Sequence, residues 1–140
     1  DCAPLNAITE QLVREFPSVK FMRDLTRGGF ATNAKEIALQ AMVDLRLDEK
    51  SIPVDDSVKG ITDILGLDPL YLANEGKFLA IISEKEAEKA VDLLQNEFSC
   101  PKSCIIGTAH IGKGDVFLKT ELGGTRRLTM LTGAPLPRIC

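Results

Sequence analysis

The sequence is poor in the residues that build metal centres and covalent staples. Among its 140 residues it has a single histidine, His110, and four cysteines. That is too few cysteines for a disulfide scaffold in a domain of this size. Cys100 and Cys104 form a C-x3-C pair six residues ahead of His110, but a tetrahedral zinc site needs four good ligands and usually takes them in closer pairs. No metal is expected. Cys100 and Cys104 read instead as small, half-buried apolar residues in a helix-to-strand loop. An excess of positive charge is also missing: 17 Lys and Arg stand against 20 Asp and Glu, for a net charge of -3. Phosphate-backbone binding needs clustered cations, so nucleic acid is not an expected partner. No stretch approaches the roughly 20 apolar residues that span a bilayer, and no basic segment leads into an apolar one as in a signal peptide. A cytoplasmic location without membrane contact is the expectation. The chain opens at Asp1 rather than Met, which suggests a fragment or a processed product.

What the sequence does contain fits one folded domain: 44% of residues are hydrophobic and 26% charged, and the length matches the common domain size of about 100–150 residues. Leu5, Ile8, Leu12 and Phe16 recur at helical spacing until Pro17. Val19 to Met22 is a short strand candidate. A helix is expected from Phe30 through Ala34, Ile37, Ala38 and Ala41, giving way to a strand at Val43, Leu45 and Leu47. Asp55 or Asp56 caps a third helix holding Val58, Ile61 and Leu65, closed by Gly66. Phe78 to Ile82 reads as a buried strand, and Ser83 to Glu86 as a capping box opening a helix with Ala87, Ala90, Val91, Leu94 and Phe98 on one side. Short strands are expected at Ile105-Ile106, Val116 to Lys119 and Thr125 to Thr129, the last two joined through Gly123-Gly124. The order αβαβαβαβββ defines an α+β fold: one two-layer domain over residues 1–131, helices packed on a mixed β-sheet, followed by an extended, mobile tail at 132–140.

Three segments can carry chemistry. Asp24-Leu25-Thr26-Arg27-Gly28-Gly29 precedes a helix. Its glycines let backbone N–H groups approach an anion, and Thr26 and Arg27 add a hydroxyl and a forked cation; the plain alternative is a strand-to-helix turn. Asn74-Glu75-Gly76-Lys77 stands at the mouth of the Phe78 strand, where a carboxylate can act as a general base or simply be solvated beside Lys77. The tail ends in Pro137-Arg138-Ile139-Cys140. Proline holds such a stem extended at about 3.1 Å per residue, so the stretch from Thr132 reaches roughly 25 Å, with Gly133 as a hinge. This suits a thiol that visits two places, or else Cys140 is incidental to a frayed end.

Together these segments resemble the HypE family of hydrogenase maturation proteins. The resemblance rests on Met22-Arg23-Asp24-Leu25-Thr26-Arg27-Gly28-Gly29, Leu72-Ala73-Asn74-Glu75-Gly76-Lys77, and above all the terminal Pro137-Arg138-Ile139-Cys140; Asp1 to Asn6 and Leu65 to Tyr71 add to it. It implies an aminoimidazole ribonucleotide synthetase-like C-terminal domain, preceded in the family by a domain that dimerises and supplies most of the ATP site. It also implies the activity of an ATP-dependent carbamoyl dehydratase. HypF loads a carbamoyl group onto the terminal cysteine, here Cys140. The thiocarbamate is then dehydrated to thiocyanate with ATP and Mg2+, and cyanide passes to the HypC–HypD complex for the iron of [NiFe]-hydrogenase. Within that scheme Glu75 is the base, oriented by Asn74. Asp24, Thr26, Arg27, Gly28 and Gly29 line the phosphate side, and Arg138 and Gly133 position the tail. On its own the chain is expected to be inactive. A non-enzymatic carrier that presents Cys140 to the maturation partners is the alternative.

Overall fold

The computed structural model describes residues 3–131, so Gly133, Arg138 and Cys140 lie outside the described residues along with the rest of the tail. The elements follow the expected order: α1 (Asn6–Glu15), β1 (Phe21–Asp24), α2 (Gly29–Ala41), β2 (Val43–Asp48), α3 (Asp56–Leu65), β3 (Phe78–Ile81), α4 (Glu84–Asn96), β4 (Gly107–Ile111), β5 (Val116–Lys119) and β6 (Thr125–Leu128). The strands divide into two sheets. β1 and β3 form an antiparallel ribbon, and β4-β2-β5-β6 form a four-stranded sheet. That larger sheet is mixed, because β2 runs parallel to β5 while the other pairs are antiparallel.

Small side chains set the spacing between the layers. Ala31, Ala34 and Ala38 line the inner face of α2 with Phe30, and all four sit in one buried cluster with Leu45 and Leu47 of β2, Val116 and Leu118 of β5, and Leu128 of β6. Alanine lets a helix axis approach a sheet closely and costs little rotamer entropy in the helix. A second cluster joins Ile8 and Leu12 of α1, Phe16 just after it, and Ala90 of α4, with Leu94 and Phe98 against it. The ribbon lies between the two. Leu79 and Ile81 pack on the first cluster, and Phe78 and Ile82 on the second. Alternate residues of β3 thus face opposite cores, which is why that strand is apolar without interruption.

Two local expectations are corrected. Ile105-Ile106 is not the fourth strand: β4 starts at Gly107, every residue in it is exposed, and Ile106 packs on the first cluster. Pairing with β2, from Val43 opposite Ile111 to Leu47 opposite Gly107, makes it a strand, and an edge strand of this kind leaves no burial pattern to read. The capping box does not close on itself either. Ser18 takes its place, donating its hydroxyl to Glu86 and accepting the Ser83 N–H at 3.2 Å. On α3 the apolar stripe lies on the outside: Val58, Ile61 and Leu65 are 38%, 59% and 62% exposed, and Thr62 is the buried residue. Helical periodicity located that stripe correctly but carries no information about what faces it. The left-handed end at Gly66 is as expected, with φ 64.

The connection into β5 hangs on Asp44, whose Oδ1 accepts the N–H groups of Lys113 at 2.8 Å and Asp115 at 2.9 Å. These two hydrogen bonds, that from Asp115 foremost, hold the carboxyl below its ordinary range. A carboxyl depressed in the folded state contributes stability above the unfolded value, about 3.9 for Asp, and loses it as the pH falls through the folded value. Asp44→Asn is therefore expected to flatten the decline of the urea midpoint below about pH 4. Parallel midpoint-against-pH curves for the two proteins would exclude this role.

Candidate functional site

Two of the three candidate segments are stitched together by their backbones. Where β1 ends, the N–H of Leu25 donates to the carbonyl of Lys77 at 3.2 Å, and the N–H of Asn74 donates to the carbonyl of Leu25 at 3.1 Å. The Asp24–Gly29 loop and the Asn74–Lys77 turn are therefore neighbours. The Asn74 amide donates to the carbonyl of Leu72 at 2.8 Å, and its oxygen accepts Lys77 Nζ at 2.9 Å. Asn74 thus holds the shape of the turn that carries Glu75, and it also engages Lys77, the residue next in line to neutralise that carboxylate. Glu75 is half-buried there and, among the described residues, makes no ion pair.

The two glycines are required by close approach. Gly28 and Gly29 sit at φ 71 and 64, in the left-handed region. A Cβ on Gly29 would lie 2.5 Å from the Leu72 carbonyl oxygen and 2.6 Å from the Tyr71 carbonyl carbon; one on Gly28 would lie 2.7 Å from the Thr32 side chain. Backbone thus lies on backbone where α2 begins, against the 3-10 turn Pro69–Tyr71 and Leu72. Asn33, 2% exposed, clamps this turn from inside by donating its amide to the carbonyls of Arg27 at 3.0 Å and Gly29 at 2.7 Å. What remains outward is the Arg27 side chain, exposed and without an ion pair among the described residues, and Asp24, which accepts the Thr26 hydroxyl at 3.1 Å. A guanidinium, a hydroxyl and a carboxylate at one mouth suit the phosphate end of a nucleotide and its counter-cation.

The third segment begins at the same place. The last described residue, Leu131, donates its N–H to Thr32 Oγ1, in the first turn of α2, at 3.4 Å. Tyr71 lies beside it, its hydroxyl donating to the Thr129 carbonyl at 2.9 Å and accepting the Thr129 N–H at 3.3 Å. Asp68 fixes the 3-10 turn by accepting the Leu70 N–H at 3.0 Å and Arg126 Nη1 at 2.6 Å. Asn33, Thr32, Tyr71, Asp68 and Arg126 were not read as site residues in the sequence. Of these Asn33 alone leaves a local sign, an amide set in an alanine-rich helical stripe. Cys100 and Cys104 stand apart from the site, hydrogen-bonded to the carbonyls of Phe98 and Ser51; Cys100 is half-buried as expected, whereas Cys104 is exposed, with partial desolvation raising its thiol. His110 lies exposed on β4 with Nε2 2.9 Å from the Thr108 hydroxyl.

A ribbon and a four-stranded mixed sheet, with glycine-turn, carboxylate turn and chain exit gathered at one end of α2, describe a known class. Residues 3–119 match the family described as AIR synthase related protein, C-terminal domain, and the chain belongs to that family. Within it, the chain is similar along its whole length to carbamoyl dehydratase HypE of Rhodobacter capsulatus, at 40% identity over 42% of that protein. It is 36% identical to carbamoyl dehydratase HypE of Escherichia coli K12, over 41% of that length. A crystal structure of hydrogenase maturation protein HypE superposes with a TM-score of 0.93 at 42% identity, covering 99% of this chain and 45% of that one. A HypE structure in complex with ATP gives 0.90 at 40% identity, with 99% and 43% covered. A HypE–HypF complex gives 0.87 at 34%, with 94% and 43% covered. The chain spans about two fifths of the length of the curated relatives it matches.

The close approach at Gly29 predicts a sharp asymmetry between glycines. Gly29→Ala must separate two backbones and is expected to cost about 2–4 kcal/mol. Gly123→Ala, at φ 87 with open space around the added carbon, should cost only about 1–2 kcal/mol. Urea unfolding of both variants measures this, and equal losses would mean that the packing of α2 on Leu72 is not tight.

Proposed function

We propose that the chain is the part of an ATP-dependent carbamoyl dehydratase that carries the reacting group on Cys140, with residues 1–131 as the folded domain and 132–140 as the arm. The observation that carries this reading is the convergence of three segments. The Arg27 loop, the Glu75 turn and the root of the arm at Leu131 all meet at the start of α2. Nine residues from Thr132 reach roughly 25 Å when extended, enough to fold back over that end or to stand clear of it. The similarity to HypE proteins supports the same assignment.

The chemistry asks little of a protein beyond placement. A carbamoyl group on sulfur, –S–C(=O)–NH2, becomes –S–C≡N when its oxygen departs and its nitrogen gives up two protons. Bound ATP with Mg2+ would supply the phosphoryl group that makes the oxygen a competent leaving group. Glu75 accepts a nitrogen proton, with Asn74 holding its turn and keeping Lys77 occupied. Asp24, Thr26 and Arg27 face the phosphate, and the Gly28-Gly29 turn keeps that loop in place. Gly133 lets the arm bend, and Arg138 screens the terminal carboxylate beside Cys140. Sulfur suits the carrier role because a thiolate leaves again when cyanide is handed on. Loading by HypF, transfer to a HypC–HypD acceptor, dimerisation through a preceding domain and a cytoplasmic setting complete the proposal.

Two variants test it in a polypeptide of full HypE length carrying this sequence. Incubated with HypF, carbamoyl phosphate and ATP, the parent should gain a carbamoyl mass on Cys140, and Cys140→Ala should gain none. Label on Cys100 or Cys104 would refute the assignment. Glu75→Gln should load normally but lose about 100-fold or more in thiocyanate formation, the usual scale for removing a general base. Normal turnover by that variant removes Glu75 from the mechanism, and a parent that loads but never dehydrates favours a carrier without catalysis.

A further inference from the structure

The arm has to start somewhere, and the start is held more firmly than an ordinary strand end. β6 stops at Leu128. In the next residue both backbone polar groups are taken by one side chain: the Tyr71 hydroxyl accepts from the Thr129 N–H at 3.3 Å and donates to the Thr129 carbonyl at 2.9 Å. Thr129 is itself exposed, so water could satisfy these groups without help. Two residues on, Leu131 donates to Thr32 Oγ1 at 3.4 Å. Tyr71 is in turn fixed from behind. Its ring packs on the first core cluster, and the 3-10 turn bearing it is tied to β6 by Asp68, which bridges the Leu70 N–H and Arg126. One face of that same turn receives Gly29, and Asn74 and Glu75 follow three and four residues after Tyr71.

We propose that Tyr71, seconded by Thr32, is a positioning residue for the dehydration step: it fixes residues 129–131, the root of the Cys140 arm, at the end of α2 where the Arg27 loop and the Glu75 turn meet. This rests on the carrier reading above. The physical ground is a comparison of two costs. Releasing residues 129–131 would lengthen the arm from nine residues to about twelve, and effective concentration falls only as about the −3/2 power of length, less than a twofold loss. Length alone therefore does not explain two hydrogen bonds spent on a solvent-exposed strand end. Direction does. A root fixed at that end of α2 removes arrangements that would lead the thiol over the far side of β6. Loading at a distant partner needs reach and is indifferent to the root's direction, whereas dehydration needs the thiol back at one mouth.

The test separates those two steps. In the 140-residue chain, Tyr71→Phe keeps the ring and deletes the hydroxyl, and amide exchange at Thr129 should quicken about tenfold or more. In the full-length polypeptide the same variant should load Cys140 at the parental rate, while single-turnover dehydration of the loaded thiol falls about fivefold, the scale of losing one or two hydrogen bonds that hold the competent state. Thr32→Val should act in the same direction with smaller effect. Three residues, Gly-Ser-Gly, inserted between Leu131 and Thr132 lengthen the arm with the clamp intact and should cost less than about twofold. If Tyr71→Phe dehydrates within twofold of the parent, or no slower than the insertion variant, the inference is overturned. Equal losses in loading and dehydration overturn it as well, since they report damage to the fold. Where Tyr71→Phe lowers the melting temperature by more than about 5 °C, Thr32→Val decides the question by the same readouts. A parent that never loads Cys140 defeats the carrier reading itself, an outcome distinct from a loaded protein that ignores Tyr71.

Discussion

The contact on which the site depends is one where no side chain intervenes. At Gly29 the backbone of α2 rests on the carbonyls of Tyr71 and Leu72, closer than any Cβ would permit. That proximity lets Leu25 and Asn74 exchange a hydrogen bond across two segments 49 residues apart in sequence, and it brings Tyr71 within reach of Thr129. Asn33 then locks the turn from within, with two donors in a place where an unpaired amide would be costly.

The order of elements was legible because each element advertises itself locally: heptad-like apolar spacing for the helices, an uninterrupted apolar run for a strand buried on both sides, glycine at a left-handed helix end. The failures share a cause. β4 is a strand because β2 is there to pair with, so its five exposed residues carry no alternating pattern. Ser18 caps α4 from 65 residues away, while the Ser83–Glu86 spacing suggested a closed local motif. Periodicity found the apolar stripe of α3 but could not say that nothing among the described residues covers it.

The candidate site divides along the same line. Residues whose type is dictated by chemistry or by backbone geometry stood out, among them Arg27, Gly28, Gly29, Asn74, Glu75 and the terminal cysteine. Residues that act by holding other residues did not. Tyr71, Thr32, Asp68 and Arg126 are ordinary surface or core types in the sequence, and their roles come from partners 58 to 99 residues away. The candidate site is thus legible in short contiguous motifs, and its alignment in long-range polar contacts.

The bare stripe on α3 has a colloidal consequence. Ile61, Ile64 and Leu65 are 59%, 85% and 62% exposed, with Val58 beside them, an aliphatic streak on one short helix. Water ordered over such a streak is released when two copies meet, and excluded salts such as sulfate strengthen that drive. The isolated 140-residue chain should therefore salt out at lower ammonium sulfate than its modest net charge would suggest, with α3 as the adhesive side.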